Sequence, residues 1–172
     1  IKGIAQIYQN IELFSHMSTM EKLMLGRHLH MKTGASRGAT FIYKGSKAAK
    51  EEVKHREKVE VIIDFLELQV ARNQFVVNLP YGSRKLVELG RALALEPELI
   101  LLDEPSAGMN MEEKGDLMFS IQDIRDDLGI TVILVEHDMN LIMDVSDRIL
   151  ALNYGERIAE GLPEEIQKHP EV

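Results

Sequence analysis

Leu99-Ile100-Leu101-Leu102-Asp103-Glu104-Pro105 decides the fold. Four aliphatic residues in succession read as a strand buried on both faces, the habit of a parallel sheet. Two carboxylates follow, and Pro105 stops the strand. In an open α/β sheet, ligands collect beyond the carboxyl ends of the strands. A dry strand ending in two acids is therefore suited to holding a magnesium ion and a water beside it. A second strand of the same kind, Thr131-Val132-Ile133-Leu134-Val135, ends in Glu136-His137-Asp138. It follows the first by one strand–helix–strand unit, so parallel neighbours would bring Glu104 and His137 to one rim. Each acid taken alone also reads as a simple cap between a strand and the next helix.

Composition narrows the classes. The chain has 172 residues, 45% hydrophobic and 28% charged, which is the balance of a globular protein. Its net charge of −8 argues against a nucleic-acid partner, which favours a basic face. Cysteine is absent, so disulfides and thiolate metal sites are excluded, as suits a reducing cytosol. No aliphatic run approaches the ~20 residues that span a bilayer, and no signal peptide is visible. The chain opens on Ile1, inside a strand-like segment, and the expectation is that it begins within a larger protein.

Residues 3–8 read as a short strand, with Gln9-Asn10 as its polar exit. Ser18 and Glu21 have capping-box spacing for a helix reaching about Met31, with Met20, Leu23, Met24 and Leu25 as its packing face. Residues 32–45, rich in Gly, Ser, Thr and Lys, read as a loop. Ser46 is placed to cap a helix over residues 47–68, whose charged run from Lys50 to Lys58 reads as a solvated face. Pro80-Tyr81-Gly82 breaks the pattern before a helix over residues 83–95 with Leu86, Leu89 and Leu93 spaced for burial. Further helices are expected over 112–127, ended by Gly129, and over 139–145, capped by Asp138. Residues 148–152 and 156–160 flank Asn153-Tyr154-Gly155 as a hairpin, and Pro163 opens a last helix. The fold class is α/β, with a boundary near Pro97 between a helical lobe and a strand–helix lobe.

Four more features carry chemistry. Leu79-Pro80-Tyr81-Gly82-Ser83-Arg84 places a close-approach glycine before a helix whose N-terminus points outward, a favourable place for an anion. Ser106-Ala107-Gly108-Met109-Asn110 is a turn entering a helix. Gln9 closes the first strand and by itself reads as a polar loop residue. The fourth feature is an absence: no G-x-x-x-x-G-K-[ST] phosphate loop occurs anywhere in the chain.

In this order and at these spacings the motifs resemble those of ABC-type ATPases, over residues 3–172. Leu99–Glu104 resembles their Walker B strand, His137 the switch histidine, Gln9 the Q-loop, Leu79–Arg84 the signature motif usually read L-S-G-G-Q, and Ser106–Asn110 the D-loop. Pro80 replaces the signature serine, Tyr81 the first glycine and Ser83 the glutamine, while Leu89-Gly90-Arg91-Ala92-Leu93-Ala94 keeps the family pattern. Tyr81-Gly82, Glu136-His137-Asp138-Met139 and Gly161-Leu162-Pro163-Glu164-Glu165-Ile166 resemble most the ATPases of bacterial branched-chain amino-acid importers.

The resemblance implies a partial RecA-like P-loop NTPase core with an α-helical subdomain. Residues 1–14 would hold the core strand and Q-loop, 15–96 the helical subdomain with the signature motif, and 97–172 the C-terminal part of the core. It implies ATP and magnesium as cofactors, with Asp103 and Gln9 toward the metal, and Glu104 and His137 as catalytic residues. Gln9, Leu79, Pro80, Tyr81, Gly82, Ser83, Arg84, Ser106, Gly108 and Asn110 would contact nucleotide. The implied partners are a second ATPase subunit, identical or not, transmembrane permease subunits and, indirectly, an extracytoplasmic binding protein, but no nucleic acid. The implied location is the cytoplasmic face of the membrane. Without a phosphate loop the chain alone is expected to be incompetent in hydrolysis, and an open sheet edge is expected to favour swapping or oligomerisation. The alternatives are an exporter-type ATPase for lipid or lipopolysaccharide, a non-transport ATPase of the same family, and a non-catalytic interaction fragment.

Overall fold

The computed structural model describes residues 3–8, 16–31 and 47–172. Gln9, the cap at Ser46 and the loop expected over residues 32–45 lie outside the described residues. The rest of the expected element order is present: β1 (Ile4–Ile7), α1 (Thr19–Arg27), α2 (Lys47–Phe65), α3 (Tyr81–Leu93), β2 (Leu99–Asp103), α4 (Met111–Asp126), β3 (Thr131–Val135), α5 (Met139–Val145), β4 (Ile149–Asn153), β5 (Glu156–Gly161) and α6 (Pro163–Ile166).

β1, β2 and β3 form a parallel sheet with β2 in the middle. Ile4 pairs with Leu99 on one side, and Leu99 with Thr131 on the other. The register runs on to Asp103 opposite Val135, so the next residues, Glu104 and Glu136, leave the sheet side by side. β2 alternates between fully and half-buried positions, with Ile100 and Leu102 in the core. β3 is different: Thr131, Ile133 and Val135 are exposed and Val132 and Leu134 only half-buried. Among the described residues the outer edge of β3 has no partner. β4 and β5 form a separate antiparallel hairpin. Its turn is tight because Tyr154 and Gly155 both take positive φ, 47° and 83°, the conformation that matches strand twist.

One core joins β1, α1, α2, α3, β2 and α4, from Ala5 to Ile124. Within it, α1 and α3 pack so closely that a Cβ on Gly26 would lie 2.5 Å from the Arg91 carbonyl oxygen. The buried pair Lys22 and Glu88 bridges the same two helices at 2.9 Å. The capping box at Ser18 forms as expected: Glu21 N–H donates to the Ser18 hydroxyl at 3.3 Å, and Ser18 N–H to the Glu21 carboxylate at 2.8 Å.

Two expectations are corrected. α3 starts at Tyr81, two residues earlier than expected, because Pro80, with φ fixed near −52°, serves as its N-cap and Tyr81 and Gly82 form the first turn. The charged run of α2 is not wholly a solvated face, because His55 turns inward and is buried. There the fully buried Arg27 donates from Nε to His55 Nδ1 at 3.1 Å and from its terminal nitrogen to the Ala94 carbonyl at 2.8 Å.

Two predictions follow from this packing. Gly26→Ala meets backbone and must push the helices apart, so urea unfolding should show a loss of about 1–3 kcal/mol. Burial first, then the Arg27 charge, lowers the His55 pKa from its usual 6.5. The unfolded chain therefore binds more protons than the folded one between the folded value and 6.5. Stability is fully present above that window and falls as pH drops through it. His55→Gln, which keeps an acceptor for Arg27 and cannot titrate, should flatten the change in unfolding midpoint between pH 7.5 and 5.5.

Candidate functional site

The site is the rim where β2 and β3 end. Asp103 is exposed at the last position of β2. Glu104 continues the ladder by donating its N–H to the Val135 carbonyl at 2.8 Å, then turns sharply with φ 43°, a strained value for a residue with a Cβ. This turn carries its carboxylate to 3.7 Å from His137 Nδ1. The imidazole is mostly exposed, at 75%. Asp138 caps α5 by accepting from Leu141 N–H, and it pairs with Lys114 of α4 at 2.5 Å, which first among its causes holds its carboxyl below the usual range. His137 is thus fixed between a sheet end and a helix start.

The turn 104–110 joins β2 to α4. Ser106 is buried and its N–H donates to Glu136 Oε1 at 2.8 Å. Glu136 Oε2 accepts from the His137 N–H at 3.2 Å. One carboxylate therefore fastens the start of the turn to the segment bearing the histidine. Gly108 takes φ 80°, and a Cβ there would lie 3.3 Å from the Tyr81 ring. Asn110 caps α4: its side chain accepts from Glu113 N–H, and Glu113 accepts from Asn110 N–H, both at 3.0 Å.

The α3 N-terminus lies beside this turn. Leu79 is buried, and its carbonyl accepts from Arg84 Nε at 2.8 Å, so Arg84 folds back on its own helix start. Pro80 is exposed, Tyr81 is exposed with Gly82 buried behind it, and Ser83 is half-buried. Gly82 N–H donates to Glu113 Oε1 at 2.9 Å. Lys85, one turn on, is 3% exposed, with Nζ 5.7 Å from the Tyr81 ring centroid. Burial lowers its pKa from the usual 10.5, opposed by the charges of Glu136 and Glu88.

The structure thus brings Asp103, Glu104, Ser106, Gly108, Asn110 and His137 to one rim and sets Tyr81 and Gly82 against it. Glu113, Glu136 and Lys85 also build the site, though the sequence analysis gives none of them a role in it. Asn110 and Glu113 have capping-box spacing, which was a visible signal. Nothing in spacing marks Lys85 as buried. Among the described residues no group of three or more His, Asp or Glu could hold a bare metal ion. The donor set, one exposed strand-end carboxylate beside a carboxylate–imidazole pair, suits an ion that arrives already bound to phosphate oxygens.

The family profile described as ABC transporter matches residues 2–107. The branched-chain amino acid transport ATP-binding protein BraF of Pseudomonas aeruginosa is 35% identical over 99% of this chain and 66% of its own length. LivG of Salmonella typhimurium, of the same description, is 34% identical with the same coverage. A crystal structure of a nucleotide-free ATP-binding cassette from an ABC transporter superposes with a TM-score of 0.78 at 29% identity, covering 99% of this chain and 65% of that one. The chain spans just under two thirds of the length of these relatives.

Glu136→Ala would leave the buried Ser106 N–H without its acceptor, a loss of about 1–3 kcal/mol in urea unfolding. Faster hydrogen exchange at Ser106 should accompany it, and Glu136→Gln should recover most of both.

Proposed function

The chain belongs to the ABC transporter family, and on that premise we propose that it forms the hydrolytic-rim and signature portion of the ATP-binding subunit of an importer for branched-chain amino acids. The observation that carries this reading is the approach of Glu104 and His137 across the β2–β3 rim, with the first turn of α3 alongside. MgATP is the substrate. Asp103 would hold its magnesium, Glu104 would polarise the attacking water, and His137 would orient that water toward the terminal phosphate. Gln9 lies outside the described residues; the family resemblance alone proposes its amide for the same ion. Tyr81, Gly82, Ser83 and the turn Ser106–Asn110 face the nucleotide held by a second subunit. The absence of a serine hydroxyl at Pro80 leaves that contact to the N–H groups of the first turn other than that of Gly82, which donates to Glu113, and the N-terminal end of α3 favours negative charge there.

The lack of a G-x-x-x-x-G-K-[ST] loop within the 172 residues assigns the cradling of phosphates to another segment or another chain. The edge of β3 that has no partner among the described residues is where a further parallel strand would add. The helical portion, residues 15–96, meets the permease subunits, and the assembly sits peripherally at the cytoplasmic face. No described helix is long and apolar enough to cross a membrane. The substrate class rests on the transport function of the relatives, because cargo is selected elsewhere in such an assembly.

The test pairs two measurements. Calorimetry of the chain alone should show no MgATP binding and no turnover. Mixing with an intact ATP-binding subunit of the family should yield a mixed complex that forms with ATP and not with ADP. No complex under either nucleotide would overturn the reading. Turnover by the chain alone, lost in Glu104→Gln, would overturn the division of labour.

A further inference from the structure

A helix begins with N–H groups that no carbonyl of the helix can serve. The side chain of an N-cap Ser, Thr, Asp or Asn commonly accepts from the second or third residue. The N-cap of α3 is Pro80, which makes no side-chain cap bond. The second residue of α3 is Gly82, and its N–H is nonetheless satisfied, by Glu113 Oε1 at 2.9 Å from a different helix. The other oxygen of the same carboxylate accepts from Asn110 N–H at 3.0 Å, closing the capping box of α4. One side chain therefore terminates two helices. Both contacts are made to the charged form: the Asn110 amide first and the Gly82 amide second hold the Glu113 carboxyl below the usual carboxylate range. The approach is close enough that a Cβ on Gly82 would lie 2.7 Å from Glu113 Cγ. Glycine at this position thus serves an internal contact of the fold.

We propose that Glu113 is a remote cap for α3 and a positioning residue that ties the signature turn, residues 79–84, to the turn 104–110, supplying the acceptor that Pro80 cannot. It acts through the backbone of Gly82 and Asn110. The two turns consequently move as one body. The weight given to the signature turn rests on the function proposed above, but the contact itself does not.

The experiment is a double-mutant cycle on the full chain, read by amide hydrogen exchange at Gly82 and Asn110 and by affinity in the ATP-driven mixed complex. Glu113→Ala should speed exchange at both amides by about fivefold, the scale of one lost cap. Adding Pro80→Ser, which restores a local hydroxyl acceptor, should return protection to Gly82 alone. The mixed complex should weaken by a similar factor in Glu113→Ala and recover in the double variant. In the unmodified chain, acidification through the Glu113 titration should shift the Gly82 and Asn110 amides together, and Glu113→Gln should abolish that shared response. This arm needs no substitution that risks the fold. Unchanged Gly82 exchange in Glu113→Ala, or a Gly82 amide that ignores the Glu113 titration, would overturn the proposal. Absence of any mixed complex with every variant would instead sink the proposed function, and exchange at Gly82 would still decide the role of Glu113.

Discussion

The rim depends on β2 being hydrogen-bonded in parallel on both sides. Because β1 and β3 both run in its direction, their carboxyl ends finish together, and the residues that leave them are delivered to one edge. Antiparallel pairing with β3 would send Glu104 and His137 to opposite ends of the sheet. The same constraint makes the turn after β2 short and sharp. Pro105 forbids continuation, and Glu104 spends its N–H on Val135 before turning. The carboxylate is placed by the ladder, not by a loop, and a site built on strand ends is more precise than one built on loops.

Around that edge, carboxylates fasten backbone to backbone. Glu136 grips the beginning of the turn through Ser106 and its own neighbour His137, and Glu113 grips the far end through Asn110. Each ion-supported hydrogen bond to an amide is stronger than a neutral one. Lys85, buried against Tyr81, adds positive charge facing Glu136 from α3.

Most of the fold was legible from local chemistry. The aliphatic runs at residues 99–102 and 131–135 announced parallel strands, Ser18 with Glu21 announced the start of α1, and Pro163 opened α6 where expected. Of the site, Asp103, Glu104 and His137 were legible because strand ends and charge coincide there. What remained hidden depends on contacts between segments distant in sequence. The burial of His55 follows from Arg27 on another helix, and the early start of α3 has its Gly82 amide satisfied by Glu113 from α4. A single sequence read along its length carries no record of such meetings. The capping role of Glu113 on α4 was within reach, and its second contact was not.

The backbone at Glu104 has a consequence for how such a protein can change. A residue with a Cβ held at φ 43° carries a conformational penalty that glycine or asparagine would largely avoid. On the role proposed for Glu104, the position sets durability against chemistry. Glycine and asparagine, which relax the turn, also remove the carboxylate. A population of variants screened only for solubility or heat resistance would drift toward losing this side chain.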